Sequence, residues 1–398
     1  MTDEPIRILT TEIQPWRLLQ ARAEADLGFS LEFIELDFNS AQRLAALDPS
    51  SYDVYDQCFH NLDIVWHWRA VQAIDTRRIQ QWDKLDEFPR LCGVQGRQGM
   101  GDVPASRLFV QQDMTLSDNP TGQISMLPTF YNFDSFAVEA SALDVDTTVT
   151  SWSALVDPEW AGRVALVDEP AIGLFDLAMA LSASGQMQFE DMGNMTVGEI
   201  DALVAHAMTL IQNGHFSPFW LRADEPAERF LNGELSLASI WSPTIVEMKR
   251  LGVKVRQARP KEGYRAWHGG MCLSRNLSGQ KLDRAYEWLN WYLDGYAGAL
   301  VARQGYYMSV PEQVRAHLPK ADWDYWYEGL PAQHDLDDVA GRPAIKAGEI
   351  RSGGSRLDRA SHIAIWNSTM DEHNYVVRRW NELVSLAASK GRAQRRAS

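Results

Sequence analysis

The first sixty residues alternate short apolar runs with longer amphipathic stretches. Buried strands are predicted at residues 6–10 (IRILT), 31–36 (LEFIEL) and 52–57 (YDVYDQ), and helices at residues 15–25 and 39–47. Strands separated by helices in this order are typical of a parallel sheet with right-handed crossovers. The pattern therefore predicts an α/β fold for this part of the chain.

Further along, residues 123–140 (QISMLPTFYNFDSFAVEA) alternate apolar and polar positions, which predicts a long strand passing between two lobes. The residues before them, 91–123, are rich in Gly, Gln and Asp and predict a loop or a peripheral excursion. Additional helices are expected at residues 196–214, 224–233, 281–293 and 368–387, and a short buried strand at residues 235–241.

Residues 151–170 (SWSALVDPEWAGRVALVDEP) combine several structural signals. Ser151 is a plausible N-cap of a short helix, and Gly162 ends that turn. Val164–Val167 then form a buried strand that stops at the acidic pair Asp168–Glu169. Because ligands of open α/β sheets meet the ends of strands, these carboxylates mark a candidate binding edge.

Composition narrows the class of protein. The 398 residues are 45% hydrophobic and 23% charged, which is typical of a soluble globular protein, and their number suits two lobes. The formal net charge of −15 disfavours nucleic acid and anionic membrane surfaces, and it favours a cationic solute. No run of about 18 apolar residues predicts a transmembrane helix. The opening MTDEPIRILTTEI lacks a basic region followed by an apolar one, so we expect no secretory leader in this chain.

The cysteines and the catalytic motifs exclude several classes. Cys58, Cys92 and Cys272 lie far apart and form no C-x-x-C pair, which argues against a metal cluster or a disulfide-rich scaffold. One disulfide with one remaining thiol stays open. The sequence contains no G-x-x-x-x-G-K-[ST], G-x-S-x-G, H-E-x-x-H or G-x-G-x-x-G motif. We therefore expect neither an enzyme nor a bound cofactor, although a catalytic triad need not be local in sequence.

Four segments occur in an order that resembles one known family. They are SWSALVDPEWAGRVALVDEP (151–170), LNGELSLASIWSPTIVEMKRLG (231–252), PKEGYRAWHGGMCLSRN (260–276) and EWLNWYLDGYAGALVARQGYYMSVPEQV (287–314). Together they resemble bacterial extracellular solute-binding proteins of the spermidine/putrescine-binding type. The resemblance covers residues 150–315. The first 130 residues match in layout only, and residues 320–398 extend beyond the shorter family members.

The resemblance implies a two-lobed, type II periplasmic-binding-protein-like α/β fold with crossing hinge strands and a C-terminal helical extension. Lobe 1 is expected at residues 1–131 and 267–312, lobe 2 at 135–264 and 313–398, and hinges near 131–135, 264–268 and 309–314. The implied protein is the substrate-binding component of an ABC importer. It would be a periplasmic monomer that captures a small cationic amine-type solute in an aromatic-lined interlobe cleft and delivers it to a membrane permease.

The resemblance also implies which residues bind the solute. Trp241, Trp267 and Tyr306 are expected to form aromatic walls for cation–π contact. Asp168 is expected to pair with the positive charge, although it could instead cap the helix that follows it.

Two positions depart from the polyamine binders. Where those proteins carry a second acid three residues after Asp168, this chain has Ala171. Where they carry an Asp two residues after the hinge aromatic, it has Gly269. A long diamine needs a partner at each end, so these departures favour a ligand with one cationic centre, or one with a polar, sugar-like portion. Asp134 could restore a carboxylate at the first hinge, or it could serve there as a turn or cap residue.

The first lobe is expected to contribute residues from the ends of its strands. Thr11 follows the first strand, while Phe59 and His60 follow the third. Small hydroxyl side chains at such ends also cap the next helix, so both roles are open for Thr11.

Two alternatives to solute binding are considered, a metal site and an adaptor protein. His60, Asp63 and His67 are spaced three and four apart, which would align them on one helix face as metal ligands of the same fold. Trp66 lies between them and Trp68 follows His67, and these two residues predict a packed helix with a surface histidine stripe instead.

An adaptor protein with a C-terminal docking arm is the second alternative. Residues 366–383 (WNSTMDEHNYVVRRWNEL) predict a capped amphipathic helix with Val376, Val377, Trp380 and Leu383 on its apolar face. Such a face is typical of a helix that packs on a lobe, which favours a core element over a docking arm.

Overall fold

The computed structural model describes residues 4–11, 15–86, 103–140, 150–222 and 224–397. The chain divides into two compact units. The described part of the first unit lies within Met1–Gln95, Asp102–Asn132 and Trp267–Tyr327, and that of the second lies within Phe133–Ala266 and Glu328–Ser398. These contact-based units carry residues 313–327 in the first unit, whereas the sequence-based boundary lies at residue 312.

The described strands alternate with helices along most of the chain. The strands are β1 Ile6–Thr10, β2 Leu31–Glu35, β3 Val54–Cys58, β4 Val71–Gln72, β5 Ile74–Asp75, β6 Phe109–Val110, β7 Leu116–Ser117, β8 Gln123–Ile124, β9 Leu127–Glu139, β10 Val164–Ala165, β11 Leu237–Ile240, β12 Val255–Gln257, β13 Tyr264–Ser274, β14 Tyr307–Met308, β15 Leu336–Asp337, β16 Pro343–Ile345 and β17 Ile363–Trp366. The α-helices are Trp16–Leu27, Phe38–Leu47, Leu62–His67, Pro170–Ala183, Val197–Gln212, Glu225–Leu231, Ser242–Arg250, Gly279–Tyr292, Tyr296–Ala302, Pro311–His317, Lys320–Trp326, Arg356–Ala360 and His373–Ala397.

The first unit is built on a sheet that begins as predicted. Strand β1 pairs in parallel with both β2 and β3, so the strand–helix–strand order of the first sixty residues is confirmed. The later half of β13 adds antiparallel to β3, with Gly269 opposite Cys58. Strand β14 pairs with the first part of β9.

The first unit also contains a second, small sheet. Strands β5, β8, β6 and β7 pair antiparallel in that order. Of the two alternatives for residues 91–123, a loop or a peripheral excursion, the described part fits the excursion, because it contains short strands of a sheet separate from the large one. Since these strands have two residues each, their hydrophobic pattern is too short to be read from sequence.

The second unit has its own set of paired strands. Strand β10 pairs in parallel with β11, and β11 pairs antiparallel with the later part of β9. Strand β12 also pairs with β9, and β17 runs parallel to the first part of β13. Both β9 and β13 are thus continuous strands that begin in one unit and end in the other. The predicted α/β class with crossing strands is confirmed.

The segment before β10 forms two 3-10 turns, Trp152–Val156 and Pro158–Trp160, where a short helix is predicted. Ser151 caps the first of them, since its side chain accepts a hydrogen bond from the Ser153 amide. The N-cap prediction for Ser151 is therefore confirmed, although the helix type differs.

The C-terminal helix His373–Ala397 belongs to the core of the second unit. Val376, Trp380 and Leu383 are buried there in one hydrophobic cluster with Phe136 and Trp152. The amphipathic face predicted from sequence therefore packs inward, and its apolar side chains are unavailable as a docking arm.

Two remaining expectations concern cysteine and the membrane. Cys58 lies opposite Gly269 in the β3–β13 ladder and Cys272 lies opposite Tyr55, so three register positions separate the two cysteines and they cannot form a disulfide. Cys92 lies outside the described residues. Within the described residues, no helix combines the length and the apolar character needed to cross a membrane.

Candidate ligand site

Three aromatic rings of the first unit contact one another. Trp267 on β13 and Tyr306 just before β14 have ring centroids 5.1 Å apart at 90°. Phe130 on β9 lies 5.4 Å from Trp267 and 5.8 Å from Tyr306. Edge-to-face and tilted arrangements of this kind are favourable for ring quadrupoles. The structure therefore brings together the predicted pair Trp267 and Tyr306, and it adds Phe130, which the sequence analysis missed.

The position of Phe130 explains why residue 269 is glycine. A Cβ atom added to Gly269 would lie 2.6 Å from Cε1 of the Phe130 ring, which is closer than real Cβ contacts. An aspartate at position 269 would therefore collide with the Phe130 ring.

His268 anchors the neighbouring rings of the first unit. Its imidazole stacks on Tyr131 at 5.4 Å, and Phe59 meets it edge-on at 5.6 Å. His268 Nδ1 lies 2.6 Å from the Gly269 carbonyl oxygen. Burial lowers the pKa of His268 to about 3, so this side chain is neutral across the physiological range. The predicted site residue Phe59 therefore lies against a neutral histidine, and His60 is buried in the 3-10 turn Phe59–Asn61.

Thr11 is buried directly after β1. Its carbonyl oxygen accepts a hydrogen bond from Trp16 Nε1 at 3.0 Å. The alternative role of Thr11 as a helix cap is wrong, because helix Trp16–Leu27 begins after Pro15 and has no side-chain cap. Next to it, the Thr10 hydroxyl donates to the Asp56 carboxyl at 2.9 Å.

In the second unit, β10 is shorter than the predicted strand Val164–Val167, and Asp168 directly follows the isolated bridge between Val167 and Trp220. The alternative role of Asp168 as a helix cap is wrong, since helix Pro170–Ala183 has Glu169 at its N-cap position. The Asp168 amide donates to the Trp220 carbonyl at 2.6 Å, and its Oδ1 accepts a hydrogen bond from Trp380 Nε1 at 3.1 Å. Burial raises the pKa of Asp168, the Trp380 bond opposes this, and the residue remains partly exposed.

Trp241 and Asp168 share one neighbour, Trp220. Trp241 directly follows β11 at the start of helix Ser242–Arg250, and its ring meets Trp220 edge-on at 5.0 Å and 80°. Trp220 therefore contacts both predicted site residues, through its carbonyl and its ring. The indole of Trp220 is itself fixed by donating to the Ser239 carbonyl at 3.1 Å. The structure thus brings Asp168 and Trp241 together within the second unit.

The positive charge of a buried side chain, Arg265, interacts with several acidic residues of the second unit. Arg265 on β13 is 1% exposed and donates from Nε to the Asp176 carboxylate at 2.7 Å. Burial opposes its charge, yet the carboxylates of Asp176 and Asp134 keep the pKa of Arg265 above its ordinary value. Burial raises the pKa of Glu169 to about 7, with a smaller opposing effect of the Arg265 charge. Sequence analysis missed Arg265, although one charged residue inside the apolar run YRAWHGGMCL was the available signal.

Asp134 has a different local structure from the one expected. It lies inside β9 and is 1% exposed, so the alternative of a turn or cap residue is wrong. The alternation of apolar and polar positions predicted the long strand, whereas the residue type of Asp134 also allowed a turn or cap. The burial of Asp134 in a continuous strand overrides that local preference.

The arrangement of the possible metal ligands does not favour a metal site. Asp63 forms an ion pair with Arg107, which takes up its carboxylate. His67 and Trp68 are exposed at the end of helix Leu62–His67, so the expectation that Trp68 is packed is wrong. Among the residues that the structure describes, no three His, Cys, Asp or Glu side chains form a group that could hold a metal ion.

The chain belongs to the bacterial extracellular solute-binding protein family, whose profile matches residues 105–328. The spermidine/putrescine-binding periplasmic protein of Escherichia coli K12 is 28% identical over 156 residues, which are 39% of this chain and 41% of that protein. The chain therefore matches less than half the length of this relative.

Solved structures show the same fold over nearly the whole chain. The spermidine/putrescine ABC transporter substrate-binding protein PotD from Streptococcus pneumoniae has a TM-score of 0.61 and 13% identity, covering 98% of this chain and 99% of its own. The periplasmic binding protein MotA from Agrobacterium tumefaciens B6, solved with glucopine, has a TM-score of 0.59 and 10% identity, covering 96% and 100%. At such identities these similarities concern the fold alone.

Proposed function

We propose that this protein is the substrate-binding component of an ABC importer and captures a small solute with a single cationic centre. In this proposal it works as a monomer in the periplasm, hands the solute to a membrane permease and carries out no chemical step. Membership in the solute-binding protein family supports the transport role. The names of the similar proteins include both polyamines and glucopine, so the family leaves the solute to be argued from the site.

The observation that carries the proposal is that Trp220 contacts both Asp168 and Trp241. A partly exposed carboxylate and an indole, joined through Trp220, offer a cation both charge pairing and a ring face. Each cation–π contact contributes roughly 0.5–2 kcal/mol, and a charge-assisted hydrogen bond roughly 1.5–3 kcal/mol. Together such contacts are sufficient for micromolar binding.

The side chains of the first unit favour a solute with one positive charge over a diamine. Trp267, Tyr306 and Phe130 provide ring surface, and Phe130 excludes an acid at position 269. We assign Phe59, His60 and Thr11 to the uncharged part of the solute. Asp134 serves the site through the charge of Arg265.

The experiment combines a ligand screen with one variant. Thermal-shift measurements would use putrescine, choline, glycine betaine, γ-aminobutyrate and glucose, followed by calorimetry of the compounds that stabilise the protein. Asp168→Asn should weaken binding of the cationic compounds by about 10- to 100-fold, because it removes the charge and keeps the shape. Glu228→Gln, an exposed carboxylate of the same unit, is the matched control and should bind as wild type.

Two results would contradict the proposal. Stabilisation by glucose with none by any cation would show that the site recognises neutral solutes. Equal affinities of wild type and Asp168→Asn for a cationic compound would remove Asp168 from the site.

A further inference from the structure

The C-terminal helix reaches the candidate site through one side chain. Trp380 of helix His373–Ala397 donates its indole N–H to Asp168 Oδ1 at 3.1 Å. We propose that Trp380 is a positioning residue, which holds the Asp168 carboxylate in one orientation for the positive group of the solute. This inference rests on the proposed function, and it assigns a role to a residue of the C-terminal helix.

The indole of Trp380 is held on two sides. It is 0% exposed and stacks on Phe219, with ring centroids 5.3 Å apart and an angle of 22° between planes. On another side it lies against Gly173, where an added Cβ would approach two ring carbons to 2.5 Å. Glycine at 173 therefore makes room for the indole on helix Pro170–Ala183. A ring fixed in this way presents its N–H in one direction, which an exposed side chain could not do.

The hydrogen bond from Trp380 occupies one carboxylate oxygen of Asp168 and leaves the other oxygen for a ligand. Among the described residues, Asp168 Oδ1 accepts from Trp380 and Oδ2 accepts no hydrogen bond. A carboxylate held at one oxygen keeps the lone pairs of the other for an incoming donor. The residue is partly exposed, so this second oxygen belongs to a side chain that solvent reaches.

The same bond supports the charged form of Asp168. Burial raises the pKa of Asp168, the Trp380 hydrogen bond lowers it, and the negative charge of Glu225 raises it. Glu169, the adjacent acid, is itself influenced by the charge of Asp168. Removing the indole donor would leave only the two effects that favour the protonated form, so the pKa of Asp168 should rise further.

The test compares two Trp→Phe variants of the full chain. Trp380→Phe keeps an aromatic ring at the position and deletes the donor. Trp152→Phe is the matched control, because Trp152 is also 0% exposed in the second unit but donates its indole N–H to the Gly263 carbonyl at 2.8 Å. Both variants should lose some thermal stability. Only Trp380→Phe should also raise the pKa of the Asp168 carboxyl group.

Two readouts separate positioning from stability. Carboxyl-carbon NMR of the ligand-free protein follows the titration of Asp168, which should move to higher pH in Trp380→Phe and stay in place in Trp152→Phe. Calorimetry with the cation found in the screen should show about tenfold weaker binding to Trp380→Phe, with a larger loss at pH 5 than at pH 8. An unchanged Asp168 titration together with wild-type affinity in Trp380→Phe would overturn the positioning role.

The outcomes also distinguish this inference from the proposed function. If wild type binds none of the cations, the proposed function fails, and the assignment of a solute to Asp168 fails with it. If wild type binds a cation and the two variants bind it equally, the proposed function stands and the positioning role is wrong.

Discussion

Asp56 makes the stability of the first unit depend on pH in an unusual direction. It lies on β3 and is 2% exposed, with Thr10 donating to Oδ2 and, within the described part of the chain, no hydrogen-bond partner at Oδ1. Burial raises the pKa of Asp56 to about 7, and the Thr10 bond opposes this only in part. Asp56→Asn imitates the protonated carboxyl in shape and retains an acceptor for Thr10.

The sign and size of the effect follow from proton linkage. Near pH 5 the native Asp56 is protonated and the unfolded one is ionised, so folding takes up a proton and is favoured by acid. As the pH rises through 7 the native side chain must ionise without a cationic partner, and this stabilisation is lost. A native pKa of about 7 against 3.8 when unfolded corresponds to about 3 kcal/mol between pH 5 and pH 8. His268 has the opposite dependence, since its pKa is lowered to about 3, but it is common to both proteins and cancels in the comparison.

The assay is urea unfolding of wild type and Asp56→Asn at pH 5, 6, 7 and 8. Relative to the variant, wild type should lose about 3 kcal/mol of unfolding free energy from pH 5 to pH 8. Asp118→Asn, an exposed acid of the same unit, is the control and should follow wild type. A constant difference between wild type and Asp56→Asn at all four pH values would refute the reasoning, because Asp56 would then be ionised throughout.

Three further predictions concern the rings and the glycines. Trp241→Phe should weaken binding of a cationic solute by about two- to tenfold in calorimetry, since a phenyl face holds a cation less well than indole, and unchanged affinity would remove Trp241 from the site. Phe130→Ala combined with Gly269→Asp should raise putrescine affinity by about tenfold, whereas Gly269→Asp alone should lower the melting temperature because the new side chain meets the Phe130 ring. Gly173→Ala should destabilise the protein by about 1–3 kcal/mol in urea unfolding, because its Cβ would clash with the Val167 carbonyl oxygen and with the Trp380 ring, and wild-type stability would show that both neighbours yield at no cost.

The sequence predicted the elements whose hydrophobic period extends over several residues. The parallel strands β1 to β3, the long strand β9 and the helix Val197–Gln212 lie close to their predicted positions. Short elements, such as the two-residue strands of the small sheet, were not predicted from the sequence. Their pairing depends on neighbours far along the chain, and a window of two residues carries no period.

The positions of the candidate site residues were predictable where a single residue type follows a strand. Asp168 and Trp241 each follow a strand, and the order of motifs pointed to both. Phe130, Arg265 and Trp380 were missed as site residues because their roles come from contacts across strands and helices distant in sequence. Phe130 acts through Gly269 and Trp380 through Asp168, and neither pair has a local sequence pattern.

The close approach of Phe130 to Gly269 restricts how this receptor could change its ligand during evolution. A descendant that acquires an acid at 269 while the phenyl ring is in place would first become less stable, with no compensating gain in recognition. The permissible order of mutations therefore begins at residue 130, with a smaller side chain that by itself only removes part of the aromatic surface. Under the proposed function, two dependent steps separate a single-cation specificity from that of a diamine receptor, and a lineage can remain in its present state because the first step alone brings no advantage.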